Sequence, residues 1–404
     1  MKFNTCLKSV GLMSLIFLGT QCQTKPDTLN LEEEIEHIVA QHTLQTNLIE
    51  ESGRILNPRT LDKGKIKYVR RQDWCSGFFP GSMWLDYDLT KDEKWKKLAE
   101  KYTEDLDTIQ YRTLTHDLGF MIGCSYMTGY RLTGKPEYKG VILQAAKSLS
   151  TRYRENAKVI QSWNSNRGWQ AKRGWECPVI IDNMMNLELL FEATRMSGDS
   201  TFHHIALNHA TSTMNNHFRK DNSSYHVVDY TLADGSVRSK QTAQGYAHES
   251  AWSRGQAWAI YGFTVAYRYT HDKRFLDQAE NTLKFCLNHK NMPEDLVPYW
   301  DFDAPKIPNE PRDASAAACV ASALYEMDGY CPGKEYKALA DKILKSLSSD
   351  AYKAKIGTNG NFILMHCVGS IPHGNEIDVP LNYADYYYQE ALIRKRNIEA
   401  DINK

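Results

Sequence analysis

From Leu31 the chain falls into a helical rhythm. Ile35, Ile38, Val39, His42, Thr46 and Ile49 recur at spacings that share one face, which predicts an amphipathic helix. Residues 51–72 break the rhythm with Gly53, Pro58 and Gly64 among basic residues, and are expected to be loop. A short pattern then returns five times: Leu89–Trp95, Leu132–Tyr138, Met196–Phe202, Tyr269–Phe275 and Tyr330–Tyr336. Each run holds a turn with Gly, Asp or Pro, a helix-starting polar residue, and an aromatic that opens a new apolar stripe. Leu98, Ala99, Tyr102 and Leu106 follow Trp95; Val141, Ile142, Ala145 and Leu149 follow Tyr138. Each aromatic therefore begins the second helix of a hairpin.

The helices before these turns are of another kind. They are expected to begin near Gly77, His116, Ile180, Ala251 and Asp313, and they are rich in Gly, Ala, Ser and Met with apolar residues nearly all round. Such helices are buried on most sides. Buried inner helices alternating with amphipathic outer ones, with the turns 43 to 73 residues apart, describe a ring of hairpins. With the first helix and a last one over 382–396, the expected architecture is an all-α six-hairpin toroid over residues 31–404. The alternation in Tyr225–Tyr230 and the Asp234-Gly235 pair predict a small inserted β-hairpin between Lys220 and Gln241.

The first 22 residues differ from all of this. Lys2 and Lys8 precede an apolar run, Val10 to Leu18, that is too short to span a bilayer, so residues 1–22 read as an export signal. Residues 23–30 read as a tether. The expected destination is the periplasm, with Cys22 a candidate for lipidation and membrane anchoring.

Composition narrows the partners. The 404 residues carry 49 basic and 49 acidic side chains, so no basic face suggests nucleic acid. Aromatics make up 11%, a supply that suits either sugar faces or helix packing. The nine cysteines are irregularly spaced, with none of the close pairs of a metal motif, and read as small core residues.

In the toroid, the loops leading into the inner helices converge on one end of a central cavity. Those loops hold Asp73 to Gly77, Thr115-His116-Asp117, Ile181-Asp182-Asn183, Gln244 to Trp258 and Pro298 to Asp313. A pocket with convergent carboxylates is the default active site. A lone Asp at a helix start is more often an N-cap than a catalyst, and Asp313, before Ala314-Ser-Ala-Ala-Ala318, fits that role best. Asp117 and Asp182 differ, because each is followed by apolar residues and has a polar neighbour, His116 or Asn183. If both face one cavity, one should be raised in pKa and donate a proton while the other stays ionised. Trp252 and Trp258, six apart, face different sides of a helix, so one lines the cavity while the other packs. Arg254 either grips a substrate carboxylate or pairs with Glu249 or an inner-helix acid. His226 and Gln244 either contact a ligand or satisfy local backbone. Trp74 and Trp163 flank turns where a ring can stack on a sugar or pack in the core.

Several blocks together resemble the unsaturated glucuronyl hydrolases, glycoside hydrolase family 88. They are Trp74–Gly81, Thr115–Phe120, Ile181–Asn186, Ser253–Gly262, Tyr299–Ala304, Asp313–Ala317 and Tyr383–Ala391. The resemblance implies an (α/α)6 barrel and a substrate whose non-reducing end is a 4,5-unsaturated uronic acid. It also implies hydration of the C4=C5 bond in place of attack at the anomeric carbon. Asp182 would be the acid and then the base, and Asp117 the supporting carboxylate. His226 and Gln244 would be polar contacts, His116 adjoins Asp117 as in the family, and Trp74, Trp163, Trp252 and Trp258 would be aromatic walls; His116 and Arg254 join the expected substrate-binding set. No metal or organic cofactor is implied. Some relatives that take sulfated substrates carry serines and a basic residue before the last helix. Here Ser370–Asp378 has two acids instead, leaving the source polysaccharide open. An unsaturated rhamnogalacturonyl hydrolase on the same barrel would lack the Trp252/Trp258 block, and a non-catalytic sugar-binding lipoprotein would bind without turnover.

Overall fold

The structure, a computed structural model, describes Met1 and residues 29–402. The export segment, Cys22 and most of the tether lie outside the described residues. In chain order the elements are α1 (Leu31–Glu51), β1 (Asn57–Asp62), β2 (Lys65–Val69), α2 (Phe78–Thr90) and α3 (Glu93–Glu104). A π-helix, Gly119–Met127, runs into α4 (Thr128–Thr133) and is followed by α5 (Pro136–Ser150), β3 (Tyr153–Arg154) and β4 (Val159–Ile160). Next come β5 (Cys177–Ile180), a 3-10 segment Ile181–Asn186, α6 (Leu187–Ser197), α7 (Ser200–Asn216), β6 (Val227–Tyr230) and β7 (Val237–Gln241). The last part holds α8 (Ser253–Thr270), α9 (Lys273–Asn288), α10 (Ala314–Tyr330), α11 (Tyr336–Leu347), β8 (Cys367–Ser370), β9 (Asn375–Val379) and α12 (Asn382–Ile402).

Inner helices α2, α4, α6, α8, α10 and α12 alternate with outer helices α1, α3, α5, α7, α9 and α11. α12 packs against both α2 and α10, which closes the ring. The result is the (α/α)6 barrel expected from the repeat. The repeat works through a cap: Asp92, Asp199 and Asp272 each accept a hydrogen bond from the second residue of the helix they start. Trp95, Phe202 and Phe275 lie three residues after those caps and are buried, so one short motif both starts the helix and docks it. Inner helices bury nearly everything: every residue from Ser253 to Ala266 of α8 is buried. The buried face of α1 is more polar than its apolar spacing suggested, with Glu34, Gln41, His42 and Gln45 beside Ile38 and Ile49.

Three features differ from expectation. Residues 51–72 are not simply loop, because β1 and β2 pair as a hairpin around Lys63-Gly64, both at positive φ. Its strands lack apolar alternation and are fixed instead by distant partners, such as Thr60 Oγ1 donating to Pro380 O. The inserted hairpin exists as β6–β7, but β5 pairs with β6 to make a three-stranded sheet. A further hairpin, β8–β9, precedes α12. The seven described cysteines are free and buried, as core residues should be.

Candidate active site

At the N-terminal ends of the inner helices opens a cavity of about 550 Å³. Its lining includes His116, Asp117, Asp182, Trp74, Trp163, Gln244 and Arg254, so residues far apart in the chain meet as anticipated. A second cavity of about 400 Å³, lined largely by the inner helices' C-terminal halves, is dominated by mutual ion pairs such as Arg268–Glu188 (2.7 Å) and Arg394–Glu326 (2.9 Å).

Local chain geometry brings the two carboxylates together. β5 ends at Ile180, opposite Val227 of β6, and Ile181 N donates to His226 O (3.0 Å). The residue after that bond is Asp182, which therefore emerges beside His226. Asp117 stands just before the π-helix, a geometry frequent at functional sites. A Cβ on Gly119 would lie 2.4 Å from Asn186 Cα, so only glycine lets the Asp117 segment press against the Asp182 segment.

The electrostatics separate the roles. Burial pushes the Asp182 carboxyl up to about 7, and the nearby Asp117 adds to the rise, while Arg254 and the Trp258 indole oppose it. Asp182 Oδ2 is buried and has no hydrogen-bond partner. Asp117 is held by its neighbours: Thr115 Oγ1 donates to Oδ2, and His116 Nε2 lies 3.2 Å from Oδ1. Burial lowers the His116 pKa, so its imidazole is neutral. Asn186 Oδ1 accepts from Phe120 N (3.1 Å), which turns Asn186 Nδ2 toward His116 Nδ1 (3.4 Å). The His116 proton therefore sits on Nε2, the ring nitrogen beside Asp117.

His226 repeats the arrangement around Asp182. Its Nδ1 accepts from Ala243 N (3.0 Å) and Gln244 N (3.2 Å), leaving the proton on Nε2. Of the two roles expected of it, the structure shows the backbone one, with Nε2 lying 3.6 Å from Asp182 Oδ2 behind the cavity lining.

Trp74 packs against Phe120 (5.3 Å between ring centroids) and Tyr383 (5.1 Å), with one face on the cavity. Trp163 stacks on Trp175 (5.7 Å). Trp252 and Trp258 correct the expected walls, because both are buried behind the lining. Trp252 backs His226 (4.6 Å) and Trp258 backs Phe120 (5.5 Å). Arg254 reaches the cavity, but its fork is largely occupied: Nη1 donates to Asp313 Oδ2 (3.0 Å) and Val368 O, and Nη2 to Gly369 O (2.6 Å). The inner-helix acid was thus the right partner, and Asp313 also caps α10. Trp169, Gln170, Ser370, His373 and Asn375 complete the mouth; Ser370, His373 and Asn375 fall in the Ser370–Asp378 stretch marked in the sequence, whereas Trp169 and Gln170 were not singled out. Trp169 is 37% exposed and contacts both Trp163 (5.1 Å) and His373 (5.0 Å). The one available signal was a second tryptophan, six residues after Trp163, in a basic loop.

Residues 52–399 match the model of glycosyl hydrolase family 88. The chain belongs to glycosyl hydrolase family 88. It is accordingly a glycoside hydrolase, and its barrel is that family's fold. An unsaturated glucuronyl hydrolase of Formosa agariphila is 44% identical over 397 residues, covering 96% of this chain and 98% of the relative. An unsaturated chondroitin disaccharide hydrolase of Streptococcus agalactiae is 33% identical, covering 94% of each. Among solved structures, an unsaturated glucuronyl hydrolase specific for heparin matches with a TM-score of 0.87 and 44% identity, over 92% of this chain and 98% of its own.

Proposed function

We propose that this family 88 enzyme is an unsaturated glucuronyl hydrolase. It removes a non-reducing-end 4,5-unsaturated glucuronic acid from lyase-generated, glycosaminoglycan-type oligosaccharides. The observation that carries the mechanism is Asp182, a largely buried carboxyl with a pKa of about 7 that lines a cavity shared with Trp74 and Trp163.

Asp182 gives its proton to C4, the π electrons form the new C4–H bond, and positive charge develops at C5 and the ring oxygen. Water adds to C5 and returns a proton to the Asp182 carboxylate, so one group serves as acid and then base. The C5 hemiketal opens to a ketone, leaving a hemiacetal at C1 that collapses and releases the rest of the oligosaccharide as an alcohol. Asp117, oriented by His116 and Thr115, holds the sugar and stabilises developing positive charge. Gln244 and His226 supply polar contacts beside the reacting carbons.

The test is loss of the ultraviolet absorbance of the conjugated double bond across lyase products that differ in linkage and sulfation. Turnover of chondroitin-type or heparin-type disaccharides supports the reading. Binding without absorbance loss on every member would make the protein a sugar-binding protein instead. Residues 1–22 support export, with Cys22 the modified residue of an anchored form; the mass of the mature N-terminus tests both.

A further inference from the structure

Behind the wall that carries Asp117 and Trp163 lies a cation that the reaction above does not use. Arg152, just after α5, is 2% exposed. Its Nε donates to Gln161 O (2.7 Å) and its Nη2 to Ser162 O (3.2 Å). Its Nη1 donates to Thr113 O (2.8 Å) and to Asn164 Oδ1 (3.1 Å). All these partners are neutral, and no carboxylate forms an ion pair with Arg152 among the described residues.

Removing a charge from water without an opposite charge beside it is costly, so such a group persists where it has a task. Burial and Arg154 pull the guanidinium down to about 10, and the attraction of Asp117 works against them. The bonded positions indicate the task. Thr113 leads into Thr115-His116-Asp117, whereas Gln161, Ser162 and Asn164 bracket Trp163. One planar fork thus ties the loop of the supporting carboxylate to the segment of the stacking ring. The same charge helps keep His116, the imidazole beside Asp117, neutral.

We propose that Arg152 is a positioning residue for the hydration reaction: it locks the Asp117 loop to the Trp163 segment and gives Asp117 a fixed positive neighbour. This rests on the assignment of Asp117 and Asp182 to the reaction. Lysine keeps the charge but not the fork, and methionine keeps neither, so the two contributions separate.

Arg152→Lys and Arg152→Met are compared with the wild type for kcat, KM and melting temperature on an unsaturated disaccharide. A third variant, Arg152→Ala, is assayed with and without millimolar guanidinium as the probe. Misplacing a reacting group by an ångström costs up to about a hundredfold, so the methionine variant should lose roughly that factor in kcat/KM and lysine about tenfold. Guanidinium should restore part of the alanine variant's kcat and leave the wild type unchanged. Should the methionine variant fail to fold, the lysine and alanine variants decide. Lowered melting temperatures with wild-type kcat in the folded fraction, and no response to guanidinium, would make Arg152 a structural strut and overturn the proposal. A wild type that consumes no unsaturated substrate would instead overturn the reading of the active site, and this proposal with it.

Discussion

Nε2 of His226 lies 3.6 Å from Oδ2 of Asp182, and the backbone N–H groups of Ala243 and Gln244 oblige that nitrogen to carry the ring's proton. His116 stands in the same relation to Asp117 at 3.2 Å. Each carboxyl thus faces a neutral imidazole whose tautomer is fixed from behind. Burial drives the His226 pKa well below its ordinary value, with the Arg254 charge adding to the effect, so it stands beside Asp182 as a neutral ring and not as a cation. In the proposed mechanism the proton that moves is accordingly that of Asp182.

Activity should follow the protonated fraction of Asp182. With its carboxyl at about 7, kcat/KM should be level on the acid side and fall tenfold per pH unit above that value. Stability should carry a signature of the same group. The folded pKa exceeds the unfolded one, so folding binds a proton between about pH 4 and 7, and stability declines as pH rises through that window. Asp182→Asn should remove that decline, raising the melting temperature above pH 7 while abolishing turnover.

His226→Gln and His226→Leu separate two functions of one ring. Glutamine can accept from the Ala243 and Gln244 amides and still donate toward Asp182, whereas leucine can do neither. The leucine variant should lose about a hundredfold in kcat and move the basic limb to higher pH, since ionised Asp182 loses a donor. The glutamine variant should keep that limb near the wild-type position. Identical pH profiles for both variants would remove His226 from contact with Asp182.

Much of this arrangement was legible in the residues, and the reasons differ by element. The ring could be read because outer helices announce themselves locally, with an aromatic near the head of each repeat and, at Asp92, Asp199 and Asp272, a capping Asp three residues before it. Asp117 and Asp182 stood out as carboxylates set in apolar sequence. The β1–β2 and β8–β9 hairpins were not legible, because what holds them is remote. Arg59 of β1 grips Asp73 (2.9 Å) and also Glu376 of β9 (2.9 Å), a residue 317 positions away. The order of burial at Trp252 and Trp258 was equally hidden, since helical spacing says that two rings diverge but not that both end behind the wall.

Gly119→Ala tests the contact that seats the two acid-bearing segments. Its methyl group would meet the backbone and side chain of Asn186 at 2.4 to 2.9 Å, so one segment must move. Overpacking of this kind costs about 1–3 kcal/mol. The expected result is a lower melting temperature together with a kcat loss larger than Ala substitution at Gly123, where the nearest neighbour is the flexible Met127 side chain at 3.6 Å.

Arg254→Met should be among the most damaging changes near the site. It would strand Asp313 and the carbonyls of Val368 and Gly369, which lead into Ser370 and His373 at the cavity mouth. Breaking a buried pair costs about 3–5 kcal/mol. Thermal unfolding should show that loss. Arg254→Met with Asp313→Asn should recover part of it, because no charge is then left unpaired.

The central claim is that Asp182 is the proton donor, and the direct measurement is turnover by Asp182→Asn at saturating unsaturated disaccharide, with binding measured in parallel. The account predicts loss of absorbance decay by about two to four orders of magnitude with affinity little changed. An Asp182→Asn enzyme that consumes the double bond at a rate near the wild type's would contradict it.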